Sequence, residues 1–161
     1  MTDVIDLLKF EEGWRERPYL DSLGYPTVGY GVVVGPQGAP LSNYTFTLPH
    51  SVGVAWLIEH LKETHLAMAR NETILKALES CTTKSDPDWG NPRSAVLLSM
   101  AYQMGVEGLA KFRDALRHIS NRDWFQAETS MLKSRWANQT PHRARRHARQ
   151  MRTGIWAGEY P

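Results

Sequence analysis

Four glycines, Gly13, Gly24, Gly29 and Gly31, fall in one short stretch and divide two kinds of sequence. Before them Val4, Leu7 and Leu8 recur at helical spacing, Thr2 or Asp3 supplies an N-cap and Gly13 a stop. Residues 3–12 are therefore predicted to form an amphipathic helix with Glu12 at its exit. Across residues 17–34 the pattern changes to Tyr, Val and Thr punctuated by Gly24, Gly29 and Gly31, which predicts a small antiparallel sheet with tight turns. A sheet this short cannot stand alone and must lean on helices. The expected class is α+β.

Further along, residues 35–49 are rich in helix and strand breakers and read as a loop leading out of the sheet. Val54, Trp56, Leu57, Leu61, Leu66, Met68, Ile74 and Leu78 predict a long helix over 51–80, with Asn71 the place where an element of that length would break. Residues 82–92 read as a second loop. Helices are predicted over 93–104, 112–119, 124–132 and 143–153, separated by Gly105, Gly108, Asn121 and Pro141.

At 161 residues and 18.3 kDa the chain has room for one well-buried core, or for two small lobes sharing one, and not for two ordinary domains. No membrane span is expected. Two aspartates interrupt the opening residues, so a secretory signal is not expected either, and work outside the cytoplasm would need another route of release. The single cysteine, Cys81, excludes an intramolecular disulfide and reads as a small buried or half-buried residue. Residues 1–92 carry 7 Lys+Arg and 12 Asp+Glu, a balance of −5, whereas residues 93–161 carry 12 and 5, a balance of +7. That asymmetry suggests an anionic polymer as partner. Lys133, Arg135, Arg143, Arg145, Arg146, Arg149 and Arg152 are the densest positive run. Nucleic acid is the weaker reading of it, because no recognition motif accompanies the charge. No metal is expected: His60 and His65, like His142 and His147, are five apart and do not share a helix face.

Glu12, Asp21 and Thr27 carry the candidate chemistry. Cutting a glycosidic bond requires a proton for the leaving oxygen and a second carboxylate that activates water or attacks the anomeric carbon. Glu12, at the end of an apolar helix face, is the better proton donor, since burial favours the protonated acid. Asp21, in a polar turn beside Ser22 and Gly24, is the better base. The Thr27 hydroxyl is suited to donating to Asp21 or to holding the attacking water. Spacing alone fits equally a capped helix followed by solvated turn residues.

The surrounding frame is more specific. Glu12-Gly13, then Tyr19-Leu20-Asp21, then Gly24-Tyr25-Pro26-Thr27-Val28-Gly29-Tyr30-Gly31 resembles the signature of the bacteriophage T4-type lysozymes, endolysin muramidases of the glycoside hydrolases. The likeness resumes in Tyr102-Gln103-Met104-Gly105, at Phe112, in Ser134 to Pro141 with Trp136, at Arg143 and from Arg152 to Trp156, covering residues 4–34 and 93–157 but not 35–92. It implies a single lysozyme-like domain over 1–161. A small antiparallel sheet lobe, about 13–52, would be joined by a long helix to a mostly helical C-terminal lobe, about 80–161, with residues 1–12 packed on the latter. It also implies hydrolysis of the β-1,4 bond between N-acetylmuramic acid and N-acetylglucosamine in peptidoglycan, with inversion. Glu12 would then be general acid, Asp21 would direct water with help from Thr27, and the carboxyl groups would lie about 6.5–9.5 Å apart.

Arg143 matches an arginine that contacts the catalytic Glu, and Gln103 and Trp136 would be supporting residues. Val33 lies where the family has an apolar residue at the cleft floor, Tyr102 where it has an aromatic one able to stack on a sugar; ordinary packing is the alternative for both. Ala115 and Ser130 stand where the family presents Ser and Asn to the glycan, so the first contact loses its hydroxyl. Val32 replaces a frequent His and removes any His–carboxylate pair there. The implied setting is a monomer without cofactor, held in the host cytoplasm until a separate holin lets it reach the periplasm or wall. A wall-binding or virion-structural protein with dead chemistry is the competing class.

Overall fold

The computed structural model describes residues 3–82 and 89–161. Helix α1 (Val4–Glu12) is capped by Asp3, whose carboxylate accepts from the N–H groups of Ile5 and Asp6 at 2.8 and 3.1 Å. The other candidate cap, Thr2, lies outside the described residues, as do residues 83–88 of the second predicted loop. Gly13 stops the helix at φ 68°, a backbone that side-chain-bearing residues disfavour, and its N–H returns to the Lys9 carbonyl. The helix ends abruptly, with Glu12 its last residue.

Three strands follow in antiparallel order: β1 (Arg15–Leu20), β2 (Pro26–Gly29) and β3 (Val32–Val33). The register pairs Tyr19 with Thr27 and Thr27 with Val33. Directly opposed residues share a face, so these three form one rung of the sheet. The following segment contains no strand. It folds back through Gln37, whose side chain donates to the Leu23 carbonyl at 2.8 Å, makes a 3₁₀ turn at Leu41–Asn43, and returns to β1 through a Leu48 N–H to Glu16 carbonyl bond of 2.7 Å.

The predicted long helix is two helices, α2 (His50–Ala69) and α3 (Glu72–Cys81), divided where expected because the Asn71 side chain caps the second by accepting from Ile74 N–H. Gly53 of α2 lies under Trp14, where a Cβ would stand 2.2 Å from the indole. Cys81 is buried. Next comes α4 (Pro92–Ala110), which continues past Met104, the predicted end. Gly105, at φ 77° and ψ 162°, bends the chain, but helical hydrogen bonding resumes after it.

Helix α5 (Arg113–Ser120) begins one residue late, with Phe112 at its cap, and α6 (Trp124–Leu132) has its predicted bounds. Helix α7 (Arg135–Gln139), capped by Ser134, is too short to show a period and was not foreseen. Helix α8 (Pro141–Thr153) begins at Pro141 rather than after it, since a first-turn proline lacks only an N–H that the helix does not use. The apolar core gathers around α4, which packs against α1, α2, α3 and α8. Leu7, Leu8, Leu57, Leu61, Leu98, Leu116 and Met151 are fully buried there. Tyr102 of α4 reaches the turn after β2, its hydroxyl donating to the Tyr30 carbonyl at 2.8 Å.

Candidate active site

The end of α1 presents two adjacent carboxylates to two different environments. Glu11 points inward, its side chain 3% exposed. Arg146 forks onto it with Nε to Oε1 at 3.0 Å and Nη2 to Oε2 at 2.7 Å, and the Tyr160 hydroxyl donates to Oε1 at 2.9 Å. Burial and the Glu11 charge both push the Tyr160 phenol upward, so it keeps its proton and serves as donor.

Glu12 lies at the outer edge, 16% exposed. Arg143 of α8, itself buried, donates Nη1 to its Oε1 at 2.9 Å. Among the described residues Glu12 Oε2 accepts no hydrogen bond. It sits beside Gly31, where a Cβ would stand 3.0 Å from it. With φ 76°, Gly31 gives the turn its left-handed backbone and leaves space next to the unengaged oxygen.

Asp21 is held by its own turn. Oδ1 accepts from the N–H groups of Leu23 and Tyr25, both at 2.9 Å, while Oδ2 accepts no hydrogen bond from the described residues. Thr27, 2% exposed on β2, departs from one expectation: its hydroxyl donates to the Tyr25 carbonyl at 2.9 Å and not to Asp21. A hydroxyl has one proton, so with that proton engaged the Thr27 oxygen remains as an acceptor only. Tyr19, in the same rung, lies between the acids electrically: burial raises its phenol pKa most, then the charge of Glu12, with Arg15 lowering it and Asp21 adding a further increase.

Val33 completes the rung and is 52% exposed, open for contact. Tyr102 is only 8% exposed, with its hydroxyl on Tyr30 and its ring edge-on to His60 at 4.8 Å between centroids. Its hydroxyl and its ring are both engaged within the protein. Trp136 of α7 donates Nε1–H to Gln103 Oε1 at 2.8 Å. Trp136 also lines a cavity of about 760 Å³ with Phe112, Ala115 and Ser130. Lys111, Arg113, Lys133 and Arg135 surround the same cavity, and none of the four makes an ion pair among the described residues. This cavity includes none of Glu12, Asp21 and Thr27; it belongs to the helical side of the molecule.

The basic run of α8 is mostly paired with carboxylates. Arg143 and Arg146 face inward onto Glu12 and Glu11, Arg149 pairs with Glu159 at 3.1 Å, and Arg152 with Glu128 at 3.1 Å. Amphipathic packing of α8 turned part of its charge into internal pairs. Sequence reading did not single out the Glu11 and Tyr160 contacts or the buried pair Ser99 and His147, whose Oγ and Nε2 lie 2.8 Å apart. For His147 a signal existed, since it follows Arg143 by four residues and shares its face.

The family model described as phage lysozyme matches residues 9–150. The chain is similar to probable T4-type lysozymes 1 and 2 of Dictyostelium discoideum, 26% and 25% identical over 164 residues, each alignment covering 96% of this chain and 96% of the relative. It is also 29% identical over 159 residues to the pre-baseplate central spike protein Gp5 of Enterobacteria phage T4, an alignment covering 94% of this chain and 28% of that protein.

Proposed function

This chain belongs to the phage lysozyme family, and from that premise we propose that it cuts the β-1,4 bond between N-acetylmuramic acid and N-acetylglucosamine with Glu12 as acid and Asp21 as base. The muramidase class follows from the family; the assignment of roles rests on one observation above the rest. Arg143 engages only Oε1 of Glu12, leaving Oε2 beside the space at Gly31 as the oxygen able to carry the transferable proton.

In this mechanism Glu12 Oε2–H protonates the glycosidic oxygen as the bond to the anomeric carbon breaks. Water attacks that carbon from the opposite face, releasing its proton to Asp21 Oδ2, and the product sugar has inverted configuration. Oδ1 is committed to two backbone N–H groups, which hold the carboxylate in place. Thr27 accepts a hydrogen bond from the attacking water, the role its engaged proton leaves open. Arg143 stabilises Glu12 once it has become an anion. Val33 supports the saccharide from the sheet rung, and Ser130, in the cationic cavity, meets the glycan where carboxylates of the stem peptides are attracted by the surrounding Lys and Arg.

Glu12→Gln protein is expected to fold and leave a suspension of purified peptidoglycan turbid; full clearing by that variant would sink the assignment. Analysis of the freshly released anomer from defined peptidoglycan checks inversion. The biological setting we propose is lysis of a host cell by a monomeric enzyme. In that setting access to the wall would fall to a separate holin; no helix among the described residues is long and apolar enough to cross a membrane. Lysis by this protein expressed alone would contradict that setting. The likeness to a central spike protein supports a second reading, a wall-cutting component of a virion, which detection of the chain in purified particles would establish.

A further inference from the structure

Behind the Glu12–Arg143 pair a line of polar side chains crosses the core. Arg143 Nη2 donates to the Ser99 hydroxyl oxygen at 2.8 Å and to the Ser99 carbonyl at 3.2 Å. Ser99 Oγ lies 2.8 Å from His147 Nε2, and His147 Nδ1 lies 3.4 Å from the Tyr160 hydroxyl, which donates to Glu11. Ser99 and His147 are both 0% exposed. Such a line is tolerated in a core when its donors have acceptors, and one does not: Arg143 Nε is buried without a partner among the described residues.

The protons can be assigned by elimination. Arginine only donates, so the Ser99 oxygen accepts from Arg143 and its own O–H must find another acceptor. The nearest is His147 Nε2, which can accept only when it carries no proton. The ring proton then sits on Nδ1, facing the Tyr160 oxygen and, at 3.7 Å, Glu11 Oε1. A neutral ring also suits the site: burial, then Arg143 and Arg146 on its own helix, oppose a charge there and outweigh Glu11, which faces it from α1, while Tyr160 of the C-terminal segment and the Trp136 ring of α7 complete its surroundings. Every hydrogen bond then points the same way, from Arg143 through Ser99, His147 and Tyr160 to Glu11.

We propose that His147 and Ser99 are positioning residues for the general acid: neutral His147 accepts a hydrogen bond from the Ser99 hydroxyl, and the Ser99 oxygen holds Arg143 with Nη1 on Glu12 Oε1 and no nitrogen on Oε2. The guanidinium would otherwise be free to rotate into a two-pronged grip on both oxygens, the arrangement Arg146 makes with Glu11. A two-pronged grip would occupy the oxygen that must deliver the proton. This inference rests on the assignment of Glu12 as acid.

The test compares Ser99→Ala, His147→Leu, His147→Gln and the Ser99→Ala/His147→Leu double variant on a soluble peptidoglycan fragment, with thermal unfolding to establish that each is folded. Expected for Ser99→Ala and for His147→Leu is a fall in kcat of about tenfold or more with KM held within about twofold, because the change misplaces a catalytic group and leaves the saccharide contacts intact. The double variant should be no slower than the worse single one. His147→Gln, whose carboxamide oxygen offers Ser99 an acceptor, should recover most of the rate. Wild-type kcat in folded Ser99→Ala, or losses that multiply in the double variant, overturns the proposal. If His147→Leu does not fold, Ser99→Ala and His147→Gln decide between the same outcomes. Glu12→Gln separates the two failures: an inactive Glu12→Gln beside a fully active Ser99→Ala removes the positioning line alone, whereas an active Glu12→Gln removes the acid assignment beneath it.

Discussion

The two halves of the site are built in opposite ways. Asp21 is held by its own neighbours, Leu23 and Tyr25, through bonds that a peptide turn makes by itself. Glu12 is held by Arg143, 131 residues away, and the line behind it ends on a Tyr160 to Glu11 bond spanning 149 residues. The turn half exists as soon as the local backbone forms; the helix half exists only after the chain has closed on itself. Damage to the first should therefore appear in activity, and damage to the second in stability as well.

Glu11 should show the largest effect. Glu11→Ala would leave the Arg146 guanidinium and the Tyr160 hydroxyl without their shared acceptor, and breaking a buried pair from one side costs about 3–5 kcal/mol. Urea unfolding measures the loss. Molecules that remain folded should keep kcat within about tenfold of wild type, because Glu11 stands behind the reacting carboxylate. A variant stable within experimental error would show that the helix half does not depend on this cage.

Asp21→Asn tests the other half. The amide oxygen can still accept from Leu23 and Tyr25, so the turn should persist and stability should change by less than about 1 kcal/mol. Losing the base should lower kcat by about a hundredfold or more, equivalent to about 2.7 kcal/mol of barrier. A large loss of stability would mean that the turn half is not self-sufficient.

This contrast also explains what was legible in the sequence. A cap at the start of α1, the Gly13 stop, a small antiparallel sheet and the Asn71 break are local devices, each written in a few adjacent residues, and all were readable, though the choice of Asp3 over Thr2 and the number of strands were not. The Arg143 to Glu12 pair was foreseen through family resemblance, not through any property of the intervening sequence. Helix α7 escaped because five residues carry no period, and the start of α8 because a proline that ends helices also begins them. Ser99, His147 and Tyr160 carry no marking of their own; they become a line only when α4, α8 and the C-terminal segment pack together. Arginine density did not show which charges would be paired for the same reason, since pairing with Glu11, Glu12, Glu128 and Glu159 depends on tertiary neighbours.

Where the halves meet, at Gly31, a smaller effect is expected. Gly31→Ala forces a side chain into a φ of 76° and puts its Cβ 3.0 Å from Glu12 Oε2, which should destabilise by about 1–2 kcal/mol. It should also lower kcat, since the intruding methyl lies against the oxygen assigned to deliver the proton. Unfolding midpoint and turnover measured on the same preparation would separate the two. A variant destabilised as expected yet fully active would show that the proton leaves from elsewhere.

The smallest effect is a slope in stability against pH, and it belongs to the helix half alone. Burial first, then the charges of Arg143 and Arg146, hold His147 neutral well below the usual histidine range. In the unfolded chain the same ring binds a proton near pH 6.5, as an ordinary histidine does, so below that pH the unfolded state holds a proton that the native state refuses. Stability must then fall with falling pH, by up to about 1.4 kcal/mol per pH unit from this group, until the native ring itself titrates; above that window both states are neutral and the group contributes nothing. Denaturant unfolding at a series of pH values from 7.5 downward should give a shallower acid slope for His147→Gln than for wild type, while Thr27→Ala, on the turn side and without a titrating group, should keep the wild-type slope. Identical slopes in wild type and His147→Gln would mean that the native ring takes up its proton at the same pH as the unfolded one. On the acid side of that pH Nε2 would be a donor toward Ser99, and the single direction of hydrogen bonds behind Glu12 would be lost there.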